Sequence, residues 1–155
     1  MLYCKKTHKW GVQKKFSKTI NKEIWDCSIG GHCVYTKQVD SKYNSEFEET
    51  LVKESYEELG LDIKISKNFE NKTGYIFKNY LYKNHFNNEY LGIGIIFTNS
   101  ETISPIDGEV VDFKWLSLNE LESLLKDRNV SDTLKTIFPF IEEEFETSIQ
   151  NFISL

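Results

Sequence analysis

The sequence has little proline, little sulfur and no long apolar run. Proline occurs only twice in 155 residues, which leaves no material for a proline-rich linker between domains. Three cysteines, Cys4, Cys27 and Cys33, are an odd number. They show neither a framework spacing nor a CxxC pair, so they read as reduced thiols of a cytoplasmic protein. No apolar stretch approaches the ~20 residues of a membrane span, and the polar, basic start does not read as a secretory leader. Excess positive charge is also missing. A net charge of −5 gives no general pull toward nucleic acid or an anionic membrane. It repels a polyphosphate unless a metal or local lysines reverse the field.

What is present reads as one globular domain over residues 1–155. Eleven Phe, eight Tyr and three Trp argue against disorder and supply a core. Strand character is expected at Leu2–Cys4, Trp10–Phe16, Ile24–Ile29, Leu61–Ile65, Gly74–Lys83, Glu89–Thr98 and Glu109–Leu116. A polar loop is expected over Val34–Asn44, and a turn over Asn84–Asn88. Helices are expected from about Glu46 to Leu59, from Ser117 to Lys126, and from Ser131 to Phe152. Pro139 either divides the last helix or kinks it. Ser45 followed by Glu48 reads as a capping box, and Gly60 as a C-terminal stop. Strands alternating with helices in this order predict an α/β/α layered domain with a mixed sheet.

The stretch from Trp25 to Leu61 concentrates the chemistry. It runs from an apolar strand into Gly30-Gly31, crosses the polar loop and ends in a helix carrying Glu54, Glu57 and Glu58. Acids at i, i+3 and i+4 project from one side of a helix. They repel one another unless something positive sits among them. A hard divalent cation is the natural candidate, because every ligand on offer is oxygen. Val52, Ser55 and Leu59 form the stripe that should face the core.

This stretch resembles the Nudix hydrolase family, whose signature is G-x5-E-x7-R-E-U-x-E-E-x-G-U with U aliphatic. Lys53-Glu54-Ser55-Tyr56-Glu57-Glu58-Leu59-Gly60-Leu61 matches its second half, with Lys53 keeping the charge of the Arg and Ser55 replacing an aliphatic residue. Gly30-Gly31-His32 lies upstream, and EVVDFKW followed by SLNEL looks like the family's last strand and following helix. The signature's first Glu falls on Ser45 and its first Gly on Val39, with Glu46 one residue away as a substitute. The run WDCSIGGHC looks like the branch containing isopentenyl-diphosphate isomerase. Gly30 stands where the isomerase carries its catalytic Cys, His32 matches its metal-binding His, and Asn87 and Glu89 match its later acids only in part.

The resemblance implies hydrolysis of a nucleoside diphosphate linked to another moiety, with Mg²⁺ or Mn²⁺ held by Glu54, Glu57 and Glu58. It implies a backbone carbonyl near Gly30 or Gly31 beside the metal, and Glu57 or the loop residue Glu109 as general base. Lys14 and Lys15 stand on the strand where relatives carry basic residues near the diphosphate. Tyr75, Phe77, Tyr80, Tyr82 and Phe86 are either core or a base-stacking wall. The expected partner is a small, nucleotide-derived diphosphate, and a homodimer is compatible with the sequence. A non-catalytic nucleotide-binding module and an isomerase-like protein remain as alternatives.

Overall fold

The computed structural model describes residues 1–33, 43–64, 73–83, 88–106 and 108–149. Six strands form one mixed sheet: β1 (Leu2–Cys4), β2 (Lys9–Ser17), β3 (Lys22–Cys27), β4 (Gly74–Lys83), β5 (Asn88–Thr98) and β6 (Val110–Leu116). Their order is β3-β2-β1-β5-β4, with β6 also paired to β2. Only β1 and β5 run parallel among these pairs; the others are antiparallel. Three helices are present among the described residues: α1 (Tyr43–Leu59), α2 (Leu118–Leu124) and α3 (Asp132–Glu144), the last followed by a π-helical turn at Phe145–Ile149.

The alternation of the strands creates two apolar faces. Tyr3, Trp10, Val12, Trp25, Ile93 and Ile95 pack with Leu121, Leu134, Ile137, Phe138 and Ile141 from α2 and α3. On the other face, Leu2, Ile29 and Ile96 meet Leu59, with Leu51, Val52, Phe113 and Trp115 around them. The sheet is therefore covered by α1 on one side and by α2 and α3 on the other. This is the layered α/β arrangement the sequence predicts.

The core stripe of α1 is as expected, Ser55 included. Ser55 is fully buried, and its hydroxyl donates to the Leu51 carbonyl one turn back. That local bond satisfies a polar group in an aliphatic slot. The helix begins at Tyr43, two residues before the Ser45 cap that the sequence suggests. Ser45 thus lies within the first turn.

Gly60 ends α1 with φ +66°, and its N–H donates to the Tyr56 carbonyl at 2.9 Å, an αL cap. A Cβ there would sit 2.3 Å from the Ser104 carbonyl oxygen. Gly60→Ala is expected to cost about 3 kcal/mol, from the left-handed backbone and the clash together. Chemical denaturation of the variant beside the parent checks this; a loss under about 1 kcal/mol would contradict it.

One expectation changes, and one of the two alternatives at Pro139 drops out. Residues 61–64 form no strand; Ile63 plugs the α1-side core instead, and Lys64 is tied to Thr73 through the threonine hydroxyl at 2.9 Å. Residue 65 lies outside the described residues. At Pro139 the helix neither ends nor restarts. Although Pro139 cannot donate to the Lys135 carbonyl, Leu134, Ile137, Phe138 and Ile141 are all buried along one side and hold α3 together. The capping box at Ser117 forms with Glu120. The loop expected at Val34–Asn44 lies outside the described residues except for Tyr43 and Asn44, which are helical. Phe86, Asn87, Val39, most of the β4–β5 turn, and residues 150–152 of the last predicted helix also fall outside.

Candidate active site

Strand β3 leaves the sheet at Cys27 and leads through Ser28 and Ile29 to Gly30 and Gly31. Ser28 is buried; its hydroxyl accepts from the Leu2 N–H at 2.8 Å and donates to the Gly11 carbonyl at 2.5 Å. The turn is thereby fixed to β1 and β2. Helix α1 then brings two of its acids against it. Glu58 accepts from the Gly30 N–H at 2.9 Å through Oε2, and from the Gln13 amide at 3.2 Å through Oε1. Glu54 lies against Gly31. A Cβ on Gly31 would fall 2.6 Å from Glu54 Oε1 and 2.3 Å from its Cγ, so only glycine lets the carboxylate approach this closely.

Glu58 is 3% exposed. Burial pushes its carboxyl up to about 7, the nearby charge of Glu54 adds to this, and the bonds from Gly30 and Gln13 and the charge of Lys15 oppose it. Glu57 is held differently. Lys53 reaches Glu57 Oε2 at 2.9 Å and Glu54 Oε1 at 3.2 Å, so the ammonium stands between the two acids.

A metal fits this donor set by its chemistry. The groups are carboxylate and carbonyl oxygens, which suit a hard cation. Gln13 Oε1 is a buried acceptor for which no hydrogen-bond partner is present, so the wall of the site keeps unspent oxygen capacity. Among the described residues, no three His, Cys, Asp or Glu side chains already stand in a metal-holding cluster. The reason is visible: Lys53 draws Glu57 and Glu54 together while Glu58 is turned to Gly30.

Lys14 and Lys15, adjacent in sequence, are separated by the strand's alternation. Lys15 shares a face with Gln13, and its ammonium comes within 4.0 Å of the Cβ position of Gly30. It pairs with Asp26 at 2.7 Å. Lys14 points to the opposite face, pairs with Glu23 at 3.2 Å, and lies 5.4 Å from the centre of the Trp25 ring. There it lines a cavity of about 510 Å³ with Lys22, Glu23, Trp25, Asp127 and Asn129. The structure brings Lys15 to the acidic turn and does not bring Lys14 there.

Glu109 is exposed and sits between two anchors. On one side, the Ile106 N–H donates to the Glu57 carbonyl at 3.0 Å, and the Ser104 N–H to the Leu59 carbonyl at 2.9 Å. On the other, Val110 pairs with Lys15. The turn therefore carries Glu109 between the end of α1 and the Lys15 end of β2. His32 is exposed. Burial, then the neighbouring Asp26, pushes the Cys27 thiol far up, which disqualifies it as a nucleophile. The three cysteines are all free thiols.

Tyr75, Phe77 and Tyr80 of β4 are engaged in packing. Tyr75 stacks near Phe97 with ring centres 6.1 Å apart and donates to Glu144 at 2.8 Å. Tyr80 meets Phe140 at 5.1 Å, and Phe77 packs on the core.

Sequence reasoning missed Gln13, Asp26 and Ser131. Gln13 was legible in principle, two residues from Lys15 on the same strand face. Asp26 carried a signal too: an acid inside an apolar strand. Ser131 carried none, because its contact with Asp26 spans 105 positions.

No curated protein matches the chain. Among solved structures, a NUDIX-family hydrolase from Clostridium perfringens is 19% identical with a TM-score of 0.55, over 88% of this chain and 87% of that one. The NUDIX domain of Shewanella oneidensis NrtR, solved with ADP ribose, is 13% identical with a TM-score of 0.59, over 92% and 82%. A bifunctional NMN adenylyltransferase/ADP ribose pyrophosphatase from Francisella tularensis, solved with AMP and a manganese ion, is 16% identical with a TM-score of 0.58, over 92% of this chain and 39% of that one. These likenesses establish the fold. The family model for the NUDIX domain matches residues 9–137, most of the chain and all of the site, and the chain belongs to the NUDIX family.

Proposed function

We propose that this domain hydrolyses a diphosphate bond in a small, nucleotide-derived substrate such as ADP-ribose, with Mg²⁺ or Mn²⁺. The observation that carries the reading is the Gly30-Gly31 turn, bracketed by Glu54 and Glu58 with Lys15 alongside. Glu54, Glu57 and Glu58 would hold the metal, helped by a carbonyl of Gly30 or Gly31. Bound there, the ion neutralises diphosphate oxygens and acidifies a water. Lys15 supplies a fixed positive charge where the overall negative charge of the chain would repel the substrate. The exposed Gly30-Gly31 backbone lets a phosphate approach without a side chain in the way. Glu109, carried between Glu57 and Lys15, takes the proton from the attacking water, with Glu57 as the alternative base. The ADP ribose seen with the Shewanella domain and the AMP and manganese seen with the Francisella protein support this substrate class. The free thiols suit action in the reducing cytoplasm.

Purified protein with millimolar Mg²⁺ or Mn²⁺ is expected to release a monophosphate from at least one of ADP-ribose, nucleotide sugars, dinucleoside polyphosphates, nucleoside triphosphates and prenyl diphosphates. A chelator should stop the release. Absence of product across this panel would sink the hydrolase reading. Nucleotide binding without turnover would favour a binding module, which Ser45 at the signature's first Glu and the Lys53 clamp on Glu54 and Glu57 also motivate.

A further inference from the structure

We propose that Asp26 is a positioning residue that aims Lys15 at the substrate's diphosphate, with Ser131 holding Asp26 from the far side. Asp26 is 8% exposed, which for a carboxylate demands full hydrogen bonding. Oδ1 accepts from the Cys27 N–H at 2.9 Å and from the Ser131 hydroxyl at 2.5 Å. Oδ2 is left to Lys15, at 2.7 Å. With one oxygen committed to the protein frame, the other can hold the lysine in only one place. Ser131 is itself fixed. It caps α3 by accepting from the Leu134 N–H at 3.0 Å, and its own N–H donates to the Trp25 carbonyl at 2.9 Å. The chain of contacts therefore runs from the start of α3, through the edge strand β3, to the ammonium beside Gly30.

The arrangement answers an electrostatic problem. A lysine on this face with no second partner would close onto Glu58, whose charge it already feels. It would then compete with whatever cation the acids bind. Asp26 draws it the other way and leaves the charge facing the turn. Burial works to lower the Lys15 pKa, but Asp26 and then Glu58 outweigh it and leave it raised, so the lysine stays charged. Lys14, one residue away, shows the contrast: its partner Glu23 has a half-exposed side chain, and the pair does not meet the turn.

The inference rests on the hydrolase reading for its place in a reaction, but its test does not need turnover. Methylenediphosphonate, a diphosphate that cannot be hydrolysed, is titrated calorimetrically in the presence of Mn²⁺ into the parent, K15M, D26N and the double variant. Each single substitution is expected to weaken binding about tenfold, and the double by about the same tenfold, because the two residues act as one unit. Affinity for Mn²⁺ alone should fall in D26N, where Lys15 can close onto Glu58, and should not fall in K15M or the double variant, so the probe is titrated at saturating Mn²⁺. An equal loss from D26N in the parent and K15M backgrounds would show a merely structural role and overturn the proposal. So would an unchanged affinity in D26N, or a parent that does not bind the probe. Should D26N fail to fold, S131A takes its place in the cycle. A loss of about threefold that vanishes in the K15M background supports the proposal, and one that persists overturns it. A parent that binds the probe yet releases no product from any substrate refutes the hydrolase reading and leaves the role of Asp26 standing.

Discussion

Glu57→Gln is expected to lower kcat/KM about a thousandfold while leaving the melting temperature nearly unchanged. The two halves of this result have separate causes. The Glu57 side chain is 43% exposed and its ion-pair partner Lys53 is 62% exposed, so solvent screens the pair and its contribution to folding is small. The tie that does matter to the fold uses the backbone: the Glu57 carbonyl accepts from Ile106, and no side-chain change touches it. The amide is the same size as the acid and keeps one acceptor oxygen. What it loses is the negative charge, on which both proposed roles depend, as metal ligand and as alternative base. Loss of a charge used chiefly in the transition state appears in kcat more than in KM. Steady-state kinetics on the best substrate, with thermal unfolding of both proteins, checks it. A loss under tenfold would remove Glu57 from the machinery. Glu109→Gln, on a loop exposed to solvent, then asks whether the base is there.

The acidic helix was legible because its information is local. Three glutamates at helical spacing and a glycine stop are properties of seven consecutive residues, and α1 carries them as the spacing predicts. The capping box at Ser117 is local in the same way. What escaped was set by tertiary packing. Leu61–Ile65 has the composition of a strand, but residues 61–64 are not in a strand: Ile63 serves as a plug and Lys64 is held by Thr73. Lys14 and Lys15 look equivalent in sequence; strand alternation sends one to the α1 face and the other to Trp25. The three glutamates that the resemblance implies as metal ligands lie on α1, and two of them hold Lys53. That contact depends on a side chain's reach and not on spacing.

Glu58 gives the second large effect, a loss of stability on raising the pH. Its folded carboxyl titrates at about 7, against 4.5 for an ordinary glutamate. The cause is first its burial and then the charge of Glu54, with Gly30, Gln13 and Lys15 working against them. The folded state thus keeps a proton that the unfolded chain has already released. Wherever the folded state binds more protons, stability falls as pH rises. The decline starts near the unfolded value, runs through about pH 7 and levels off above it. Its total is about 3 kcal/mol for the metal-free protein. Glu58→Gln should flatten this slope and leave the variant the more stable of the two at pH 8 in chelator. Gln13 makes the exchange tolerable. Its Oε1 is the buried acceptor without a partner, and rotation of its amide offers that oxygen to a donor at position 58, whether an acid proton or a new amide. A divalent cation selects the ionised carboxylate, so it should stabilise the parent far more at pH 8 than at pH 5. Denaturant unfolding at both pH values, with chelator and with Mn²⁺, separates these effects. Parallel pH profiles for the parent and Glu58→Gln in chelator would show that Glu58 is not the group whose burial the fold opposes.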